Sequence, residues 1–250
     1  MQYFQAIILG ALEGLTEFLP VSSTAHLIWG VKLLGLQSSE FWKSFEIFIQ
    51  LGAVLAVFIF YFKKIWQLEN IKKLFVAFLP TAIIGYLLYG IIKNVFFDSY
   101  LIIAWALLIG GVIMFIFESK HQAKEKEITL AKAFLIGVFQ ALAVIPGVSR
   151  SAATIIGGLS LEIGRKDIVE FSFLLAVPTI VAASLFDLKS TGFHFSSNEF
   201  IILAIGLIVS FIVAWLAIKA FLKYIQKYDF KPFAWYRIAI GLIFLLILNL

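Results

Sequence analysis

Apolar residues along the chain come in long unbroken runs, without the alternation of a half-buried strand or the single stripe of a surface helix. Six runs, at 45–62, 74–93, 99–117, 168–187, 199–219 and 234–250, are each long enough to cross a bilayer, which takes about 20 apolar residues. Two further apolar stretches, 3–36 and 132–161, are interrupted by "EFLPVSST" and "VIPGVSRSA". Each predicts two short half-helices joined by a proline-containing break, the first ending at Pro20. Non-helical backbone at membrane depth survives only where protein or a water-filled cavity covers it. Both stretches are therefore expected to be re-entrant hairpins that leave the membrane on the side they entered.

The basic residues test this path. Loops 63–73, 118–132, 162–167 and 219–233 hold fourteen of the twenty Lys and Arg, whereas the opposite face holds four, Lys32, Lys43, Lys93 and Lys189. Such a bias marks the first face as cytoplasmic and puts both termini outside. A hairpin that crossed fully would move every later loop to the other side and scatter the bias.

The same path contains a repeat. Residues 9–25 align with 136–152 at an offset of 127, matching Gly10 with Gly137, Leu15 with Leu142, Val21 with Val148, Ser22 with Ser149 and Ala25 with Ala152. Glu13 falls on Gln140 and Thr24 on Ser151. Each half, 1–125 and 126–250, is a hairpin followed by three spans. Three is odd, so the second half enters the membrane upside down. The expected fold is an all-α polytopic membrane protein built as an inverted-topology repeat, with its site near the midplane where the broken elements meet.

Composition agrees: 62% of residues are hydrophobic, 14% are charged and mean hydropathy is +1.02, far from soluble norms. The net charge of +5 lies between apolar spans, which points to lipid headgroups and excludes nucleic acid as the expected partner. No cysteine is present, so disulfides and thiolate metal sites are excluded. "MQYFQAIILG" has no basic leader, and no removable signal peptide is expected.

Ionisable groups are costly in hydrocarbon, so those inside the hairpins carry the chemistry. Glu13 and Glu17 are four apart and share a helical face. Two carboxylates so placed in low dielectric call for a divalent cation, a shared proton or a basic partner. Ser22, Ser23 and Thr24 follow Pro20 and supply an N-cap to the next half-helix, whose free N–H groups suit a phosphate. Helix closure alone is the bland alternative for that triplet. His26 sits in the first turn of the same half-helix, where it is expected to exchange a proton with Ser23 or a leaving group. In the second hairpin, Ser149 and Ser151 flank Arg150. Its permanent charge calls for an anion, either Glu13 or Glu17 as a structural tie or a substrate phosphate. Glu46, Gln50 and Glu170 are further pocket candidates, Arg237 an interhelical tie, His121 and His194 solvated loop residues, and Gly110 and Gly111 a small-residue surface for a homodimer.

With "EGLTEFLPVSSTAHL", "FEIFIQLGAVLAV", "PGVSRSAATI" and the terminal "YRI", the chain resembles the undecaprenyl-diphosphatase, or bacitracin-resistance, family along nearly its whole length. The resemblance implies cleavage of undecaprenyl diphosphate to the monophosphate and phosphate, which recycles the lipid carrier of cell-wall synthesis. It also implies a bacterial plasma-membrane location, a pocket open to the extracytoplasmic side and use of Mg2+ or Ca2+. Its acidic motif falls on Glu13 and Glu17, its serine motif on Ser22, Ser23 and Thr24, its histidine on His26, and its second-hairpin motif on Ser149, Arg150 and Ser151. Ala25 and Ala152 stand where the family commonly has glycine.

The expected chemistry is phosphoryl transfer. Glu13 and Glu17 would hold the cation, Arg150 with Ser149, Ser151, Ser22 and Thr24 would cradle phosphate, and Ser23 would attack with His26 as proton partner. A metal-bound water is the other candidate attacker. The rival expectation is a secondary transporter or lipid flippase for an anion, since broken helices in inverted repeats suit alternating access as well.

Overall fold

The computed structural model describes residues 2–36, 39–96, 99–120, 126–191 and 195–248, and all regular structure there is helical. The helices are α1 (Gln2–Thr16), α2 (Ser23–Leu33), α3 (Glu40–Phe60), α4 (Phe62–Ile65), α5 (Leu68–Ile91), α6 (Tyr100–Lys120), α7 (Leu130–Ala141), α8 (Arg150–Ser160), α9 (Arg165–Thr191), α10 (Ser197–Ile225) and α11 (Lys231–Leu248). A π turn, Ile92–Phe96, extends α5, and a 3-10 turn, Leu142–Val144, extends α7. His121 and His194 lie outside the described residues.

Six helices, α3, α5, α6, α9, α10 and α11, have the length and hydropathy of membrane crossings and coincide with the six expected runs. Most run several residues further than the hydropathy pattern, and polar caps start two of them. The Ser39 hydroxyl accepts from Trp42 N at 3.3 Å ahead of α3, and Ser196 and Glu199 form a reciprocal capping box ahead of α10. At 29 residues α10 is about 43 Å long, more than the ~30 Å hydrocarbon layer. Tyr86, Leu87, Leu216 and Leu246 all point outward, the reverse of a soluble surface and the expectation for a lipid-facing one.

The two interrupted stretches form helical pairs too short to cross singly. At 15, 11, 12 and 11 residues, α1, α2, α7 and α8 measure about 16 to 22 Å. The first half-helix stops at Thr16, not at the proline as the sequence pattern suggested. Pro20 explains the shift: its ring would strike the carbonyl four residues back, which is Thr16. Pro146 acts in the same way on Leu142, the residue at which α7 gives way to its 3-10 turn.

The 127-residue offset runs through the whole element order. Helix α2 spans 23–33 and α8 spans 150–160, and the left-handed residues that follow them, Gly35 and Glu162, are also 127 apart, with φ of 65° and 62°. Packing follows the same pattern: α1 lies on α10, α7 lies on α5, and α6 and α11 pair with each other. Gly10 makes the first contact possible, since a Cβ there would sit 2.6 Å from the Gly206 carbonyl oxygen. Gly137, its partner at the same offset, faces the Ala77 backbone in α5 in the same way. Gly110 and Gly111, expected on a dimer surface, instead pack against Arg237 and Ala234 of α11 within the chain.

Candidate active site

The two breaks meet. Ser22 caps α2 in a left-handed conformation, φ 73°, with its hydroxyl toward Ala25 N at 3.4 Å. Ser149 caps α8 with φ 72° and accepts from Ala152 N at 3.2 Å. Each cap turns the chain sharply enough to aim a helix N-terminus, with its free N–H groups and positive dipole end, into the space between the hairpins. Ser151 ties the breaks together by donating from Oγ to the Leu19 carbonyl at 2.8 Å, and its hydroxyl also lies 3.1 Å from that of Ser149.

Glu17 occupies the centre. Its Oε2 accepts from Ser23 Oγ at 2.5 Å, and its Oε1 accepts from Arg150 Nε at 3.3 Å and Nη2 at 3.2 Å. Arg150 Nη1 donates to the Ser172 carbonyl of α9 at 2.8 Å, and the guanidinium lies over the Phe18 ring. These bonds leave two of its five N–H groups for another acceptor. Arg150 is thus both a tie to Glu17 and a wall of the cavity beside it. The sequence left those two roles as alternatives, and this geometry allows both.

That cavity has a volume of about 450 Å³ and is lined by Glu17, Ser22, Ser23, Thr24, Ser149 and Arg150 at one end. Helices α5 and α9 supply an apolar wall that includes Phe78, Ala82, Ile180 and Ala183, and its far end reaches Tyr86, Tyr89, Phe186 and Asp187. Gln50 also lines it, whereas Glu170 lies at the chain's basic face, paired with Lys64.

Besides Ser151, which is fully buried in its tie to Leu19, two expected residues stand apart from the cavity. The first is His26, whose Nδ1 is 2.7 Å from the Ser22 carbonyl and whose Nε2 is 2.7 Å from the Tyr236 hydroxyl, with the two rings stacked. A carbonyl only accepts, so Nδ1 carries the proton, and in the neutral ring Nε2 receives the tyrosine hydroxyl. The expected Ser23–His26 proton pair is therefore not what the structure assembles: Ser23 gives its hydrogen bond to Glu17, and His26 fastens the strained Ser22 turn to α11. The second is Glu13, fully buried with no hydrogen-bond partner at either carboxylate oxygen among the described residues. Glu46 of α3, also buried, adds negative charge within electrostatic range.

An unpartnered buried carboxylate one turn from a second carboxylate fits a hard divalent cation such as Mg2+ or Ca2+. Among the described residues no three His, Cys, Asp or Glu side chains converge to hold a metal alone. The rest of a coordination sphere would have to come from water and substrate oxygens, as is usual for Mg2+. Both Glu17 oxygens are already engaged, so Glu13 offers the freer donor pair.

Sequence reasoning gave no role to Tyr236, the Ser172 carbonyl or the cluster in which Gln140 Nε2 donates to Thr81 and Thr179 at 2.9 and 3.2 Å. Tyr236 was within a quoted motif, next to Arg237 in "WYRI". Its partner could not be read, because nothing local says which face of α2 meets α11.

Fold and site together define a multi-pass membrane protein with a Ser–Glu–Arg centre set at two helix N-termini. The family model described as bacitracin resistance protein BacA matches residues 6–243. The chain is 47% identical over 251 residues to the undecaprenyl-diphosphatase of Aquifex aeolicus, with 98% of each chain covered. It is 49% identical over 253 residues to that of Persephonella marina, covering 98% of this chain and 99% of the other, and 47% identical to that of Wolinella succinogenes over the full length of both. This chain belongs to the BacA family.

Proposed function

We propose that this protein is a phosphatase that dephosphorylates undecaprenyl diphosphate to undecaprenyl phosphate and inorganic phosphate, and so recycles the cell-wall lipid carrier and confers bacitracin resistance. The observation that carries the reading is the hydrogen-bonded chain Ser23–Glu17–Arg150 at the polar end of a cavity whose other walls are apolar. A diphosphate on a prenyl tail has that same division.

The terminal phosphate sits between the N–H groups of α2 and α8, with Ser22, Thr24 and Ser149 around it, Ser151 holding the two breaks together behind them, and the free N–H groups of Arg150 on its oxygens. Ser23 Oγ attacks the terminal phosphorus and passes its proton to Glu17 Oε2, already at hydrogen-bond distance. The bond from that phosphorus to the bridging oxygen breaks, and undecaprenyl phosphate leaves with the electron pair. Water then attacks the phosphoserine: a new P–O bond forms, the bond to Ser23 breaks, and the serine recovers its proton from Glu17. Arg150 spreads the charge that builds on the equatorial oxygens. His26 holds the Ser22 turn in place during these steps. A divalent cation held by Glu13 with Glu17 supplies further charge neutralisation when bound. The proximal prenyl units lie along Phe78, Ala82, Ile180 and Ala183.

The two halves are read as inverted repeats with re-entrant hairpins, supported by the constant offset of elements and by the exchanged packing of α1 on α10 and α7 on α5. With the lysine-rich loops cytoplasmic, the C-terminal ends of α5 and α9 face outward. The cavity mouth at Tyr89 and Asp187 then opens to the extracytoplasmic side of the bacterial plasma membrane. Both termini fall on that side.

The same architecture serves transporters, but a carrier has no use for a serine hydroxyl bonded to a buried carboxylate. Phosphate release from a polyprenyl diphosphate by purified protein in detergent, without any sealed compartment, separates the two. Hydrolysis that stops with chelator supports the reading. Substrate movement across sealed vesicles with no hydrolysis in detergent would replace it.

A further inference from the structure

Arg237 of α11 is completely buried and has no carboxylate partner among the described residues. Its Nη1 donates to the Pro20 carbonyl at 3.3 Å and the Val148 carbonyl at 3.0 Å; its Nη2 donates to the Gly147 carbonyl at 2.9 Å and the Ala106 carbonyl at 3.2 Å. One guanidinium thus holds both hairpin breaks against α6. The carbonyls it takes are related: Pro20 and Gly147 stand at the 127-residue offset, each two residues ahead of the serine that caps the next helix. At that offset Arg237 itself falls on Gly110, and a Cβ on Gly110 would collide with the Arg237 guanidinium, its Cζ being 3.1 Å away. Glycine on one helix leaves the space that arginine on its counterpart fills. The cation therefore lies where the two halves exchange places, bonded to carbonyls that stand at equivalent places ahead of Ser22 and Ser149.

We propose that Arg237 is a positioning residue for the reaction, setting the separation between the break that carries Ser23 and the break that carries Arg150, with Gly110 providing its room. Both breaks are non-helical backbone whose carbonyls have no partner within a helix, and in hydrocarbon each unmet carbonyl is costly. Meeting three of them, Pro20, Gly147 and Val148, together with the Ala106 carbonyl of α6 from one point requires a planar fork with several fixed donors. Lysine has the charge but not the fork. The charge also matters less than the geometry, since every partner is a neutral carbonyl. Releasing the clamp lets the two breaks drift relative to each other, and a displacement of about 1 Å between attacking and cradling groups can cost roughly 100-fold in rate.

The inference rests on the phosphatase reading, and wild-type phosphate release in detergent is the control for it. Absence of that release defeats the reading itself, independently of Arg237. With the control active, kcat and KM are measured for Arg237→Lys, Arg237→Gln and Gly110→Ala, normalised to monodisperse protein. Both Arg237 variants should lose about 100-fold in kcat with KM within about threefold of wild type, lysine no better than glutamine. Gly110→Ala, which keeps the arginine but crowds it, should lower kcat by a smaller factor in the same direction. Rescue by lysine to within threefold of wild type would overturn the inference, as would a loss fully accounted for by unfolded protein. If the Arg237 variants do not fold, Gly110→Ala decides: wild-type kcat in a folded variant would overturn it.

Discussion

Ser22 and Ser149, 127 residues apart, share a rare positive φ, 73° and 72°, and each caps a helix of eleven residues. A left-handed serine is uncommon and strained, and two at equivalent places mark where each half turns its chain toward the site. Alanine at either position keeps the strain and loses the cap, costing about 1 kcal/mol. Glycine loses the cap but relieves strain worth about 1 kcal/mol, so its net effect is near zero. Thermal unfolding in detergent should rank glycine above alanine at both positions, and the reverse order would refute this account of the turns.

Glu17 is buried, Arg150 is largely so, and the two are paired at 3.2 Å. Removing one partner leaves an unpaired buried charge, a loss of about 3 to 5 kcal/mol. Glu17→Gln and Arg150→Met should each destabilise by an amount in that range, while the double variant should be more stable than either single one. All three should lack phosphate release, because Ser23 loses its proton acceptor or the phosphate loses its cation. A double-mutant cycle by thermal unfolding measures the coupling, and additive losses would show that the pair is not a tie.

Neither carboxylate oxygen of Glu13 has a hydrogen-bond partner among the described residues. Glu13→Gln removes a buried carboxyl group and matches the residue at the equivalent place in the other half, Gln140. Fold stability should hold or rise, whereas the Mg2+ concentration needed for half-maximal phosphate release should increase by about tenfold or more. Titration of chelated enzyme with Mg2+ reads this, and an unchanged Mg2+ dependence would free Glu13 of a metal role.

The broken helices were legible because Pro20 and Pro146 are each followed within three residues by a serine able to cap a new helix; Pro80 and Pro178, with no such cap after them, lie inside α5 and α9. The six crossings were legible because a long apolar run has few other uses. The meeting of the two hairpins was legible only in outline, from the need of Arg150 for an anion. What stayed hidden was orientation. His26 belongs to α2, but whether its ring reaches Ser23 or α11 depends on how the hairpin rolls against helices more than 200 residues away, and the Tyr236 hydroxyl donates to it there. The four carbonyls around Arg237 were hidden for the same reason, because backbone partners leave no mark in sequence.

The measurement closest to the central claim is phosphate release from undecaprenyl diphosphate by purified wild type, Ser23→Ala and Arg150→Ala, each monodisperse in detergent. Wild type should turn over, and both variants should fall by at least about 1,000-fold with the fold retained. Turnover by either variant within about tenfold of wild type would contradict its place in the reaction.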